Sequence, residues 1–107
     1  MAKQARFALI FAPEAIEHLD RIESKYYGLL QRSIKEQLTY TPTEETRNRK
    51  PLEPPAPFAA SWEIRCGPDN RFRVFYDVDL ESREVRVLAI GIKDRNLRFI
   101  VDEEYET

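Results

Sequence analysis

Two arginines and a glutamate occupy neighbouring positions of a predicted sheet, where they could bind an anion. In "WEIRCGPDNRFRVFYDV" apolar residues alternate with other residues on both sides of "GPDN", which predicts two strands joined by a tight turn. If Ile64 faces Val74 across this turn, Arg65 lies opposite Arg73, and Glu63 lies on the same face of the sheet. Like charges directly opposite each other are unfavourable, so a carboxylate or a bound anion should compensate them.

Basic residues after the next strand add positive charge near the same sheet. Lys93, Arg95 and Arg98 follow one another in "GIKDRNLR". A concave face with several arginines and a few aromatic residues is typical of a site for a phosphate backbone. The alternative is an ordinary solvent-exposed face on which Arg65 pairs with Glu63 or Asp77, and the residues alone favour neither interpretation.

The remaining reactive side chains favour structural roles. His18 is the only histidine, and together with Glu14 it would supply two metal ligands on a predicted helix, which is too few for a site. We therefore expect a surface-exposed histidine, no metal and no cofactor. Cys66 lies on the apolar face of its predicted strand and should be a small buried residue. Trp62 and Tyr76 share that face and are predicted to lie in the core.

The elements that must position these residues follow from hydrophobic periodicity. "RFALIFA" predicts a first strand, and two helices with apolar faces follow, with a break expected at Gly28. Three strands joined by short turns then form an antiparallel meander. The sequence thus predicts an α+β fold: an N-terminal strand, a helical hairpin and a three-stranded meander in one sheet, with the helices on one face. The apolar positions of the helices are Ala15, Ile16, Leu19, Ile22, Tyr26, Leu30, Ile34 and Leu38.

Length and composition predict a single domain. The chain has 107 residues, of which 42% are hydrophobic and 34% are charged, and its net charge is −2. We expect one domain over 1–107, with a proline-rich loop at about 41–60 and an acidic tail at about 102–107. The absence of a signal-like segment, of a long apolar run and of a second cysteine favours a cytoplasmic protein without a membrane segment.

A second group of basic residues precedes the proline-rich run. Arg47, Arg49 and Lys50, in "TRNRKPL", are predicted to be exposed. They could contact RNA or simply keep a loop soluble.

The order "RKPL … SWEIR … RFRVFYDV … VRVLAIGIKDR" resembles the RelE/ParE superfamily of toxins from bacterial type II toxin–antitoxin systems. The predicted order of strands and helices fits this superfamily along nearly the whole chain. RelE-like members cut messenger RNA on the ribosome, and the chemistry implied is attack of a ribose 2′-hydroxyl on the adjacent phosphate. The resemblance therefore implies a cytoplasmic endoribonuclease that inhibits translation, with ribosome, messenger RNA and a cognate antitoxin as partners.

The resemblance also implies roles for particular residues. Arg73 should hold the phosphate and Arg65 should stabilise it, while Lys93 and Arg95 assist. Glu63 stands where RelE carries a lysine, and it is a speculative base. Phe99 stands where RelE carries a late tyrosine, and it cannot exchange a proton. The residues expected to contact ribosomal or messenger RNA are Arg47, Arg49, Lys50 and Arg98.

Two alternatives to a nuclease remain open at the level of sequence. The ParE branch shares the fold, does not cut RNA and poisons DNA gyrase. A catalytically weakened relative would only bind its antitoxin and help to repress a promoter, in a complex on operator DNA.

Overall fold

A computed structural model describes residues 6–94, 97–100 and 103–105. It contains two α-helices and seven β-strands. In chain order the elements are β1 (Ala8–Phe11), α1 (Pro13–Arg21), α2 (Tyr27–Leu38), β2 (Arg49–Pro51), β3 (Trp62–Cys66), β4 (Phe72–Asp79), β5 (Glu84–Asp94), β6 (Leu97–Ile100) and β7 (Glu103–Tyr105).

The strands form one mixed sheet in the order β2-β3-β4-β5-β6-β7. Consecutive pairs are antiparallel, whereas β1 pairs in parallel with the first half of β5. β1 and β6 therefore lie beside different stretches of the same long strand. The predicted register of β3 and β4 is confirmed, since Ile64 lies opposite Val74 and Arg65 lies opposite Arg73. The α+β class and the order strand, helical hairpin, meander are also confirmed.

Both helices pack on one face of the sheet and bury the main core there. The helices contribute Ala15, Leu30, Ile34 and Leu38, all with essentially no exposed surface. Their apolar stripes meet the side chains that alternate along the strands, as the period of two requires. The strand residues of this core are Ile64, Cys66, Phe72, Val74, Tyr76, Val85, Val87 and Ile90.

The opposite face of the sheet carries a second, smaller apolar cluster. Phe75 and Ala89 are fully buried there against Ala60 and the partly buried Leu52 and Leu88. The segment 52–60 crosses this face, and its Phe58 ring packs against Phe75 with centroids 6.0 Å apart. Part of the proline-rich loop is thus ordered packing that covers the sheet. We call this segment the 52–60 cover.

Several sequence predictions about local structure are wrong in detail. Three strands were not predicted: β2 lies within the region 41–60, and β6 and β7 extend the predicted three-stranded meander. Gly28 lies inside α2, because a short 3-10 turn at Ser24–Tyr26 separates the helices instead. Ile16 is 48% exposed, since the buried stripe of α1 follows Ala15 and His18 and leaves Ile16 beside it.

Gly67 lies in the turn between β3 and β4, where the structure requires a glycine. Gly28 in α2 serves as the matched control. Gly67 has φ +85°, and an added Cβ would lie 2.5 Å from Cδ2 of the buried Phe72 ring. Gly67→Ala should therefore lower the free energy of unfolding by about 2 kcal/mol, through backbone strain and overpacking. Gly28 has open space around it in α2, so Gly28→Ala should raise the stability by up to about 1 kcal/mol. Urea unfolding of both variants checks the pair, and equal effects would contradict the account.

Candidate functional site

A buried carboxylate surrounded by three cations lies on the sheet face opposite the helices. Glu63 has no exposed surface, and its carboxylate is 3.8 Å from Arg73 Nε, 3.7 Å from Arg65 Nε and 3.8 Å from Lys50 Nζ. We call these four residues the Glu63 cluster. Strand register produces it: Lys50 of β2 lies directly opposite Glu63, and Arg73 of β4 lies directly opposite Arg65. With three cations and one carboxylate, the cluster carries a net positive charge.

Arg73 is the innermost cation of the Glu63 cluster. Its side chain is only 2% exposed, and its guanidinium donates a hydrogen bond to the carbonyl of Asn70 in the turn before β4. Gly91 lies opposite Arg73 on β5 and places no side chain on the face that they share. An isolated buried charge is costly in free energy. The negative charge of Glu63 offsets the repulsion between the facing arginines Arg65 and Arg73, as the sequence predicts.

The other two cations form a partly exposed rim. The side chains of Arg65 and Lys50 are 34% and 45% exposed. They can contact an anion from solvent, whereas Glu63 and Arg73 lie beneath them. A carboxylate without solvent access that touches three cations is poorly placed to take a proton from a substrate hydroxyl. In this conformation the described part of the face therefore favours anion binding over proton transfer.

The predicted exposure of the 47–50 segment is correct only in part. Arg47 is exposed and Lys50 is half-buried, but Arg49 is 5% exposed. In β2 Arg49 lies opposite Ile64, which directs its side chain to the helix face. There its guanidinium donates hydrogen bonds to the carbonyl of Thr41 and, at 3.2 Å, to Oε1 of Gln37. Arg49 thus ties β2 to the end of α2.

The basic residues near the C-terminus are only partly covered by the structure. Lys93 and Arg98 are cross-strand partners in β5 and β6, so their backbones adjoin in the sheet. Phe99 pairs with Ile92 in the same ladder. Arg95 lies outside the described residues, as does part of the predicted acidic tail. The proposed roles of Lys93, Arg95 and Arg98 remain predictions.

Sequence reasoning missed the role of Lys50 and the burial of the cluster. The prolines and the few apolar residues of 41–60 predict a loop that includes Lys50, and "RKP" is too short to show a periodic pattern. Its extended pairing with β3 depends on contacts distant in sequence, such as the hydrogen bond from Leu52 N to the carbonyl of Ser61. The pairing of Arg65 with Glu63, one of the two alternatives, is present.

Two core residues on the helix face of β3 and β4 have raised pKa values. Burial raises the pKa of the Cys66 thiol to about 11, against the opposing field of Arg73. Burial also raises the pKa of Tyr76 far above its usual range, with Arg49 opposing it. The Tyr76 hydroxyl donates to the carbonyl of Pro42 at 2.7 Å, and Trp62 stacks on its ring. The predicted core positions of Cys66 and Tyr76 are confirmed, and Trp62 packs against the same core with its side chain partly buried.

The raised pKa of Cys66 predicts a protected thiol. At pH 8 we expect 5,5′-dithiobis(2-nitrobenzoate) to react with native Cys66 at least about tenfold more slowly than with the urea-unfolded chain, because the thiolate is the nucleophile. The unfolded thiol ionises near pH 9 and the folded one near pH 11, so this residue's stabilising contribution is complete below pH 9 and is lost as the pH rises to 11. Equal reaction rates in the folded and unfolded chains would refute the burial of Cys66.

His18 is buried, which corrects the prediction of an exposed histidine. Its Nδ1 accepts a hydrogen bond at 3.2 Å from the backbone N–H of Ile90. Ile90 lies in β5 between the stretch that pairs with β1 and the stretch that pairs with β6. On its other side the imidazole packs edge-on against Phe58 of the 52–60 cover, with centroids 6.1 Å apart. A solitary histidine gives no sequence signal for such a position.

Two features are absent from the described residues. No group of three or more histidine, cysteine, aspartate or glutamate side chains there is arranged to hold a metal ion. Neither helix has the length and apolar character needed to span a membrane.

The fold and the sequence together place the chain in a known family. A family model described as the ParE toxin of the type II toxin–antitoxin system parDE matches residues 9–97. The chain therefore belongs to the ParE toxin family of type II toxin–antitoxin systems, within the RelE/ParE superfamily. Comparison with curated protein sequences finds no significant match.

Solved structures of RelE toxins have a similar fold. The toxin–antitoxin complex RelBE2 from Mycobacterium tuberculosis matches with a TM-score of 0.68 and 20% identity, over 87% of this chain and 98% of that one. The isolated RelE toxin of E. coli matches with a TM-score of 0.58 and 17% identity, over 83% and 86%. The intact E. coli RelBE complex matches with a TM-score of 0.56 and 19% identity, over 83% and 99%. At this identity the likeness concerns the fold.

Proposed function

We propose that this toxin inhibits growth by binding a protein target, DNA gyrase in the first instance, and that it does so without cutting RNA. A cognate antitoxin would hold it inactive in the cell. One observation carries the proposal: Arg73, to which the resemblance assigns the phosphate, and Glu63, its speculative base, are buried against each other. Within the Glu63 cluster, only the rim cations Arg65 and Lys50 are accessible to a partner. The proposal implies a cytoplasmic location, where gyrase acts.

The partly exposed rim suits an acidic protein surface. Lys50 of β2 lies opposite Glu63, and Arg65 follows Glu63 by two residues on the same face of β3. Arg47 is exposed two residues before β2 begins. Rim charges of this kind steer association and fix orientation, and their contribution weakens with salt. An antitoxin segment with carboxylates at matching positions would cover the same rim and compete with the target.

A second candidate function is ribosome-dependent cleavage of messenger RNA. The observation that favours it is the convergence of three cations on one position of the sheet, which could stabilise the crowded phosphate. In this case Arg73 and Arg65 would hold the phosphate, and Lys93 or Arg95 would assist. Arg47, Lys50 and Arg98 would contact RNA. The cluster would have to open before Glu63 could act as a base.

Two assays on the purified protein distinguish these functions. Gyrase supercoiling should be inhibited, and a cell-free translation reaction mapped by primer extension should show no new message ends. Arg65→Gln/Lys50→Gln should weaken gyrase inhibition about tenfold or more, while Arg83→Gln/Arg86→Gln, with the same change in charge, should not. Codon-phased cuts by the wild type that disappear in a folded Glu63→Leu/Arg73→Met variant, which removes both partners of the buried pair, would establish the nuclease instead. Activity in neither assay would indicate a relative that only binds antitoxin and operator DNA.

A further inference from the structure

A second concentration of positive charge lies on the helix side of the molecule, away from the Glu63 cluster. A cleft of about 300 Å³ opens between Arg6, two residues before β1, and the stretch from the middle of α2 to just beyond its C-terminal end. Backbone pairing holds these two segments together, since Phe7 N donates to the carbonyl of Thr39 at 2.7 Å. The residues that line the cleft are Arg6, Arg32, Lys35, Glu36, Thr39 and Tyr40.

The cations of this cleft are not used to stabilise the fold. Arg6, Arg32 and Lys35 are all exposed, and within the described part of the chain none of them makes an ion pair. Glu36 is the one carboxylate in the lining, so the cleft has a surplus of two positive charges. Like charges gathered without partners repel one another, and a bound anion would relieve this repulsion.

The composition of the lining selects the kind of anion. Two guanidinium groups suit phosphate oxygens, which they bind through paired N–H donors. Tyr40 is 46% exposed at the same cleft, and an aromatic ring offers a flat face on which a base can stack. An acidic peptide would also need an apolar anchor, and no aliphatic side chain lines the cleft.

We propose that this cleft binds a single-stranded nucleic-acid segment, with phosphates on the three cations and one base against Tyr40. The site is separate from the Glu63 cluster and does not depend on the choice between gyrase and ribosome as target. It would add a sequence-independent contact to whichever nucleic acid accompanies the target.

Fluorescence anisotropy with labelled single-stranded RNA and DNA 12-mers of mixed sequence tests the proposal. With three phosphates neutralised, log K should fall with log salt with a slope of about −2, and Arg32→Gln/Lys35→Gln should reduce the slope to about −0.7 and weaken binding at least about tenfold at low salt. Tyr40→Ala should weaken binding about tenfold without changing the slope. Lys25→Gln/Arg83→Gln removes the same charge elsewhere and should change neither quantity.

Three results would overturn the proposal. The first is no binding of either oligonucleotide at 50 mM salt by a protein whose circular dichroism is native. The second is equal weakening by the cleft variant and by its charge-matched control, which would indicate non-specific attraction. The third is competition by polyglutamate as effective as by unlabelled oligonucleotide together with no effect of Tyr40→Ala, which would indicate an acidic peptide site. Tighter binding of RNA than of DNA, or the reverse, would show which nucleic acid the cleft binds.

Discussion

Glu63→Leu should lower the free energy of unfolding by about 3–5 kcal/mol, the largest effect that we expect from a single charged residue. The substitution leaves the guanidinium of Arg73, which is 2% exposed, without its buried carboxylate. Removing one partner of a buried ion pair destabilises a protein by far more than the intact pair stabilises it, because the remaining charge keeps its full desolvation penalty. Urea unfolding followed by tryptophan fluorescence measures the change, and Trp62 provides the signal.

The double variant Glu63→Leu/Arg73→Met should recover most of that loss. Buried ion pairs replaced by apolar residues of similar volume are often neutral in stability or better. Arg65→Gln provides the control. The guanidinium of Arg65 is 3.7 Å from the carboxylate of Glu63, but the side chain is 34% exposed, so its loss should cost less than about 1 kcal/mol. If the double variant were as unstable as Glu63→Leu alone, the loss of stability in Glu63→Leu would not come from leaving Arg73 without its carboxylate.

Phe75→Ala should be comparably destabilising, by about 3–5 kcal/mol, for a different reason. Phe75 is fully buried under the 52–60 cover, and the substitution leaves a cavity between the sheet and the cover. We also expect the cover to open. A protease of broad specificity should then cut within 52–60, and the amide hydrogen of Leu52 should exchange with solvent faster. Leu80→Ala, at a position 64% exposed, is the control and should change little.

A small effect of Phe75→Ala would contradict this packing. If the loss were below about 1 kcal/mol and the exchange of the Leu52 amide were unchanged, the cover would be held by its ends rather than by the Phe75 contact. The hydrogen bonds from Ser61 to Asp77 and from Leu52 to Ser61 would then be the elements to test.

Local periodicity was enough to predict the part of the site that depends on strand register. The alternation on both sides of "GPDN" predicted that Arg65 and Arg73 lie opposite each other, and this pairing is observed. The family resemblance and the α+β class followed from the same strands together with the two amphipathic helices. These features depend on contacts close in sequence or on a strict period of two.

Burial on the second face of the sheet could not be predicted in the same way. The 52–60 cover is proline-rich and has no period, so nothing in its sequence indicates that Phe58 lies against Phe75. The short strand β2 brings Lys50 to Glu63 and turns Arg49 inward, and three residues are too few for a pattern. His18 is buried because β5 presents an N–H between two partner strands, which is a property of the assembled sheet.

Growth arrest by the Glu63→Leu/Arg73→Met variant is the measurement that tests the central claim most directly. Wild type and variant would be induced at equal levels in bacteria without a cognate antitoxin, with Arg65→Gln/Lys50→Gln as the rim variant. We predict that the double variant arrests growth like wild type, because Arg73 and Glu63 stabilise the sheet, and that the rim variant is impaired. A double variant that is folded and stable but harmless would contradict the account and place Arg73 in the chemistry of an RNA-cutting site.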